Sequence, residues 1–197
     1  MQKLIYMDNA ATTSTAPEVV SAMLPFFTEY YGNPSSVYNF AQKSKMAIED
    51  AREIIADSIG AAKSNEIYFT GGGSESDNWA LKAAAEAFKS KGNHIITTKI
   101  EHHAILHTCE WLEKHGYEVT YLDVDEYGKV DPIEFEAAIK DTTILASIMF
   151  ANNEIGTVEP IKELGAIAHS KGVIFHTDAV QAFAHIPINV QEMNIDM

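Results

Sequence analysis

The sequence has few cations, a single cysteine and no long apolar run, and each shortage excludes a class of function. Its 197 residues include 14 Lys and Arg against 28 Asp and Glu, which gives a formal net charge of −14. This balance argues against a nucleic-acid-binding surface, which needs clustered Lys and Arg. Cys109 is the only cysteine, so an intrachain disulfide is excluded and a reducing compartment is indicated.

No apolar stretch approaches the ~20 residues that cross a bilayer. The N-terminus reaches Asp8 too early to contain the apolar region of a signal peptide. Hydrophobic residues make up 46% of the chain and charged residues 21%, which is the balance of a folded globular protein. We therefore expect a cytoplasmic protein that binds neither membranes nor nucleic acid.

A repeated pattern of helix, glycine and strand runs through the chain. Cationic residues and then Gly92, Gly116 or Gly172 close three helical segments. A short β-branched run follows each glycine, at residues 94–97, 117–122 and 173–176. Residues 143–150 are apolar almost throughout, and residues 66–69 form a further candidate strand. The pattern predicts an α/β fold, a mostly parallel sheet with helices on both faces.

Helix starts are marked as clearly as helix ends. Thr15 and Asp131 are each followed by a Glu three positions later, with a proline in between, so both are predicted to cap a helix, and Pro160 is predicted to open another. The alternation begins only after residue 15. We therefore divide the chain into an N-terminal arm, residues 1–15, and one α/β domain, residues 16–197.

The segment TGGGSES, residues 70–76, is the first candidate binding site. It joins a predicted strand to a helix expected to start near Ser74, with Asp77 in capping-box position. Unpaired N–H groups at a helix N-terminus attract anions, although a tight turn capped by serine explains the segment equally simply. The segment is not a dinucleotide fingerprint, because Ser76 stands where the third glycine belongs.

Three further polar segments follow predicted strands. His102, His103 and His107 suggest a metal site, but the segment does not complete a plausible ligand set, and a ring after a strand also suits stacking on a ligand. The side-chain amides of Asn152 and Asn153 either bind a ligand or form a turn. Asp178, placed directly after a buried strand, either caps the next helix or pairs with a protonated ring nitrogen of a ligand.

These segments, taken in order, resemble the cysteine desulfurases, the class V branch of the aminotransferase-fold enzymes that use pyridoxal 5′-phosphate (PLP). YMDNAATT at residues 6–13 and GNPSS at residues 32–36 are similar to the opening signatures of that family. The resemblance runs from Tyr6 to Met197. It implies the large domain of a PLP-dependent transferase, incomplete here, with residues 1–15 as an arm of the small domain.

The resemblance also implies a role for particular residues. Gly73 and Ser74 would hold the PLP phosphate, and His102 would stack on the pyridine ring and take part in catalysis. Asp178 would pair with the pyridine nitrogen, and Asn153 and Gln181 would hydrogen-bond near the ring hydroxyl. Two arm residues would lie close to the substrate: Asn9 and Ala10.

The implied reaction converts L-cysteine to L-alanine and leaves a persulfide on the enzyme, for iron–sulfur cluster or thio-cofactor assembly. The implied partners are a second copy of the chain in a homodimer and a sulfur-acceptor or scaffold protein. No metal is expected. The alternatives are another class V enzyme, such as a selenocysteine lyase or an aminotransferase, and a non-catalytic interaction protein on the same fold.

The PLP-anchoring lysine motif of the family would come soon after residues 194–197, and no part of it matches this sequence. Cys109 shares a helical face with Ile105 and Leu112, so we expect a buried, inert thiol and not the persulfide-forming cysteine. The family sheet also places later strands beside the one predicted at residues 66–69. We therefore expect this chain to be inactive alone and to need that later segment for stability.

Overall fold

The computed structural model describes residues 5–197 and divides them into two units. The first unit comprises the residues up to Asp57 and a short piece, Lys63–Ile67. The second unit comprises Ser58–Ala62 and Tyr68–Met197. These units divide the chain elsewhere than at residue 15, and the predicted division into an arm and a PLP-binding domain stays a prediction. Within residues 5–197 no helix has both the length and the apolarity to cross a membrane.

Helices dominate the first unit. Helix α1 spans Pro17–Thr28, α2 spans Asn39–Ile59, and a 3-10 helix spans Ser64–Glu66. The expected cap at Thr15 is wrong, because α1 begins with Pro17 at its first position and the cap position therefore falls on Ala16, which has no capping side chain.

The predicted strand at residues 66–69 is also wrong. The 3-10 helix occupies its start, and the chain that follows Glu66 is extended without belonging to a strand. Ile67 has strand-like dihedral angles, φ −92° and ψ 125°, and its carbonyl accepts a hydrogen bond from the Arg52 side chain. The local sequence thus favours extended backbone here, but a strand also needs a neighbour to pair with.

The second unit contains a parallel sheet, as predicted. Its strands are β1 (His94–Thr98), β2 (Glu118–Leu122), β3 (Thr143–Ser147) and β4 (Ile174–His176), in the order β2-β1-β3-β4. All three strand pairs are parallel. The connecting helices are α3 (Gly73–Phe88), α4 (His103–Glu113), α5 (Pro132–Ala138) and α6 (Ile161–Ser170).

Helices cover both faces of this sheet. Ile95 and Leu145 pack with α3 and α4, whereas the next residues, Ile96 and Ala146, pack with α5 and α6. This alternation follows from the two-residue repeat of a strand. Cys109 lies fully buried in the first cluster, and burial raises the pKa of its thiol to about 12. The expectation of an inert, buried cysteine is confirmed.

Most of the predicted helix ends are confirmed, with one change of reason. Asp131 caps α5 by accepting a hydrogen bond of 2.8 Å from the Ile133 N–H. Gly116 and Gly172 follow α4 and α6 with φ of +93° and +70°, the region that favours glycine. At Gly92 the reason for glycine is close packing, because a Cβ there would lie 2.1 Å from the Thr142 carbonyl oxygen.

The last residues lie along the outer edge of β4. The Met197 N–H donates to the Phe175 carbonyl (3.3 Å), and the Met197 carbonyl accepts from the Thr177 N–H (3.0 Å). This is the hydrogen-bond pattern of a parallel pair. The preceding turn packs on α6, where a Cβ on Gly165 would lie 2.1 Å from the Met193 carbonyl oxygen.

We predict that Gly165→Ala lowers the free energy of unfolding by about 2 kcal/mol, because the added methyl group overpacks this contact. Helix propensity alone predicts the opposite sign, a gain of about 0.5–1 kcal/mol. Urea unfolding measures the change. The control is Ala166→Gly at the neighbouring exposed position, with an expected loss of about 0.5–1 kcal/mol from propensity alone. A stabilised Gly165→Ala variant would contradict the packing.

Candidate active site

Three loops meet at the carboxyl end of the sheet, which is where open α/β sheets bind ligands. They follow β1, β3 and β4, which are neighbours in the sheet. The Asn152 amide donates to the Ile100 carbonyl (3.0 Å) and so ties the β1 loop to the β3 loop. The Phe150 N–H donates to the Asp178 carbonyl (2.8 Å) and ties the β3 loop to the β4 loop.

The N-terminus of α3 adds a fourth segment to this edge. A Cβ on Gly73 would lie only 2.9 Å from Val180, two residues after Asp178. The helix begins at Gly73, with Gly72 in the cap position and no side chain capping it. The expected cap at Ser74 is therefore wrong, because the glycines let the helix begin before the serine.

Hydrogen bonds fold the glycine loop around itself. The Thr70 hydroxyl bonds the Gly72 carbonyl (3.1 Å) and the Ser76 hydroxyl (2.7 Å), and the Glu75 carboxylate accepts from the Gly71 N–H. Within residues 5–197, the N–H groups of Gly73 and Ser74 have no hydrogen-bond acceptor. Two donors at the positive end of a helix dipole therefore remain for a ligand.

His102 caps α4 with its ring exposed. Its Nδ1 accepts a hydrogen bond of 3.1 Å from the Ala104 N–H, so the neutral imidazole carries its proton on Nε2. Between His102 and the neighbouring ring of His103 the centroids are 6.1 Å apart and the planes tilted by 54°. The contact with Ala104 fixes one edge of the His102 ring, and the other edge remains available for proton exchange.

The two asparagines after β3 have different roles. The Asn152 side chain is buried, and its oxygen accepts from the N–H groups of Glu154 and Ile155 at 2.8 and 3.0 Å. Asn152 therefore forms the turn that sequence reasoning offered as the alternative role for this segment. Asn153 is half-buried, and its amide NH2 donates to the neighbouring Glu154 carboxylate at 3.2 Å.

Asp178 and Gln181 follow β4. The Asp178 side chain is 8% exposed, and one of its oxygens accepts from the Val180 N–H at 3.0 Å. This bond begins the turn that holds Gln181, which is half-buried. The capping alternative for Asp178 is thus partly right, since the carboxylate accepts from the backbone two residues ahead although no regular helix follows.

A buried carboxyl group, that of Asp77, interacts electrostatically with Asp178. Asp77, one turn into α3, is 4% exposed, and its carboxylate is 3.9 Å from Nε2 of His176. Nδ1 of His176 is hydrogen-bonded to the Ser147 hydroxyl at 2.8 Å. Burial, and then the charge of Asp178, raise the pKa of Asp77 to about 7, whereas burial lowers the pKa of His176 to about 4. Both shifts favour the neutral forms of the two groups in the Asp77–His176 contact.

Sequence reasoning missed two buried carboxyl groups of this region. Asp77 was assigned to a helix cap, but it shares the buried face of α3 with Leu81, Ala84 and Ala85, a helical spacing that is visible in the sequence. Glu101, directly before His102, is 5% exposed. No sequence pattern indicates its burial, because that burial depends on contacts between separate loops.

The remaining predicted residues lie apart from these loops in the chain. Asn9 and Ala10 belong to the first unit, in an exposed turn where the Ala11 N–H donates to the Asp8 carbonyl at 3.2 Å. Within residues 5–197, no three His, Cys, Asp or Glu side chains are grouped to hold a metal ion.

We predict that the free energy of unfolding of Asp77→Asn, relative to that of the wild type, rises by on the order of 2 kcal/mol between pH 4 and pH 8. The pKa of Asp77 is raised from 3.8 to about 7, so the folded state holds a proton that the unfolded chain releases. Its contribution to the free energy of unfolding therefore falls as the pH rises through that window. The lowered pKa of His176 acts in the opposite direction, but it is common to both proteins.

Urea unfolding of both proteins at pH 4 and pH 8 tests this prediction. Asp141→Asn, which removes an exposed carboxyl group, is the matched control and should show no such pH dependence. A constant difference between Asp77→Asn and the wild type would contradict the raised pKa.

The chain was compared with known proteins. It is 62% identical over 195 residues to a cysteine desulfurase IscS of Methanosarcina thermophila, covering 99% of this chain and 48% of that protein. It is 55% identical over 197 residues to a cysteine desulfurase IscS of Dictyoglomus turgidum, covering 100% and 50%. The chain thus spans about half the length of these curated relatives.

Solved structures give the same result. A structure described as SspA in complex with cysteine matches with a TM-score of 0.93 at 43% identity, covering 97% of this chain and 55% of the other. A NifS-like protein matches with a TM-score of 0.93 at 39% identity, covering 98% and 53%. The model of the aminotransferase class-V family matches residues 5–197. The chain therefore belongs to the aminotransferase class-V family.

Proposed function

We propose that this chain forms the cofactor-binding half of a PLP-dependent cysteine desulfurase. The carrying observation is that Asp178, His102 and the open N-terminus of α3 meet at one edge of the sheet, in a chain 62% identical to a cysteine desulfurase. Since the chain spans about half of such relatives, the activity is proposed for the complete natural polypeptide.

The glycine loop fits a phosphate group. The N–H groups of Gly73 and Ser74, which have no acceptor among residues 5–197, suit an anion, and the helix dipole favours negative charge at this end. A Cβ at Gly73 would lie 2.9 Å from Cγ2 of Val180, so any larger residue there would have to displace the Val180 side chain. This explains the need for glycine at the start of the helix and brings the phosphate site close to Asp178.

Asp178 fits the nitrogen end of a pyridine ring. A buried carboxylate is costly without a partner, and a protonated ring nitrogen supplies one. Bound PLP supplies an electron sink for charge that develops on the substrate's α-carbon. Asp178 keeps the ring nitrogen protonated, and the hydrogen bond from the Val180 N–H orients the Asp178 carboxylate.

The other side chains of the edge orient the ring and move protons. His102 offers an exposed imidazole face for stacking, and its Nε2 carries an exchangeable proton. Asn153 and Gln181 offer half-buried amides on the neighbouring loops for the ring hydroxyl. We assign Asn9 and Ala10 to the substrate entrance on the family resemblance alone.

The lysine that anchors PLP and the cysteine that carries the persulfide belong to the part of the relatives that this chain does not span. Cys109 does not replace that cysteine, since burial suppresses its thiolate. We further propose L-cysteine as substrate, a homodimer, a sulfur-acceptor or scaffold protein as partner, and a cytoplasmic location. A selenocysteine lyase or an aminotransferase on this fold would share the cofactor site but not release alanine and persulfide sulfur from L-cysteine.

We expect Asp178→Asn to weaken PLP binding by the complete polypeptide about ten- to a hundredfold, because it removes a charge-assisted hydrogen bond. Titration with PLP, followed by visible absorbance, measures the affinity. The control is Asp123→Asn, which removes an exposed carboxylate paired with Lys99 at 2.6 Å. Equal affinities for the wild type and Asp178→Asn would contradict the assignment of Asp178.

We expect His102→Ala to lower the rate of alanine formation from L-cysteine by about a hundredfold or more, the usual range for loss of a proton-transfer group. His103→Ala is the matched control, since it removes the adjacent, equally exposed imidazole. Alanine is measured by amino-acid analysis under single-turnover conditions. If the wild-type protein binds PLP but forms no alanine from L-cysteine, the desulfurase proposal is wrong and another class V activity is indicated.

A further inference from the structure

Glu101 is a buried carboxyl group that connects two strands of the sheet. Its Oε1 accepts hydrogen bonds from the Thr98 hydroxyl (2.8 Å) at the end of β1 and from the Met149 N–H (2.9 Å) just after β3. Its Oε2 is buried and, within residues 5–197, has no hydrogen-bond partner. The side chain is 5% exposed. One oxygen thus joins the two loops, and the other lies in the protein interior.

A second hydrogen bond joins the same two loops. Asn152 donates from the β3 loop to the carbonyl of Ile100, the residue before Glu101. The short β1 loop is therefore held to the β3 loop at two successive residues, and His102 is the next residue along the chain. The backbone at His102 begins α4 and provides the cap for its first turn. The two bonds therefore determine where the His102 ring enters the site.

The surroundings of Glu101 favour its protonated form. Asp178, Glu159 and Cys109 are the titratable groups that interact with it, and none of them is a cation. Burial first, and then Asp178 and Glu159, raise the pKa of Glu101 to about 8, against the opposing effect of the two hydrogen bonds. In the neutral acid, Oε1 remains an acceptor and the proton resides on Oε2.

We propose that Glu101 is a positioning residue of the active site, which ties the β1 loop to the β3 loop and thereby holds His102 in place. The proposal relies on the function proposed above only for the role of His102. Glu101 acts on PLP chemistry through His102 and touches no reacting atom. A glutamine preserves the acceptor for Thr98 and Met149 and places an uncharged amide NH2 group where Oε2 lies, so Glu101→Gln is the conservative variant.

The test compares Glu101→Ala, Glu101→Gln and Glu159→Ala in the complete natural polypeptide. Glu159 is a close match for Glu101, since it is 4% exposed, accepts from one backbone N–H (Val130, 2.9 Å) and has one buried oxygen with no hydrogen-bond partner among residues 5–197. It connects Val130 and not the β1 loop. Amide hydrogen exchange measures the lost backbone bonds, and the ¹⁵N chemical shifts of the His102 ring report its position and tautomer.

In Glu101→Ala we expect the Met149 amide to exchange about ten- to a hundredfold faster, since its acceptor is lost. We expect the Nδ1 signal of His102 to move from the acceptor value toward that of a tautomer mixture. Glu101→Gln should restore both properties to within about threefold of the wild-type exchange rate. Glu159→Ala should accelerate exchange at Val130 and leave the His102 signals unchanged.

Unchanged His102 signals in Glu101→Ala would overturn the proposal, as would a Glu101→Gln variant that behaves like Glu101→Ala. An equal effect of Glu159→Ala on His102 would also overturn it, by showing that any loss of a buried carboxyl group disturbs the ring. Binding of PLP is measured separately by absorbance. A wild-type protein that does not bind PLP contradicts the proposed function but leaves the result on Glu101 standing.

Discussion

The parallel pairing of β1 and β4 with β3 is the constraint on which the candidate site depends. It brings the carboxyl ends of three strands to one edge, so that residues separated by up to about eighty positions in sequence begin their loops side by side. Hydrogen bonds between the loops then complete what the pairing begins. Asn152 reaches the β1 loop, and the Phe150 N–H reaches Asp178. The site is therefore built from backbone geometry first and from side-chain contacts second, which places functional side chains on short, tethered loops.

The helices add electrostatics to this scaffold. Helix α3 begins against the β4 loop through Gly73, and α4 begins at His102, so two helix N-termini face the same edge. Each carries the positive end of a helix dipole. Of these two helices, α3 has no side-chain cap for its first N–H groups, whereas His102 caps α4. This difference distinguishes the segment suited to an anion from the one suited to a flat ring.

Local sequence patterns predicted the parts of the fold that are determined by residues close together in the chain. The repeated helix, glycine and strand signals gave a parallel sheet with helices on both faces, and Asp131 was correctly identified as a cap. The strand at residues 66–69 failed because pairing is a long-range property that no local pattern contains. Ser74 failed as a cap because three glycines allow more than one helix start. Glu101 was missed because contacts between separate loops bury it, whereas the burial of Asp77 was missed although its helical spacing with Leu81 is visible in the sequence.

The protonation of the buried carboxyl groups is understood best when the three groups are considered together. Asp77, Glu101 and Asp178 lie close enough to interact electrostatically, in a protein with a formal net charge of −14. Three ionised carboxylates in one interior would repel strongly, and burial adds a desolvation cost for each. Protons on Asp77 and Glu101 remove most of that repulsion, since both groups have raised pKa values. With the neutral forms of Asp77 and Glu101 beside Asp178, a single cationic partner, such as a protonated ring nitrogen, is favoured.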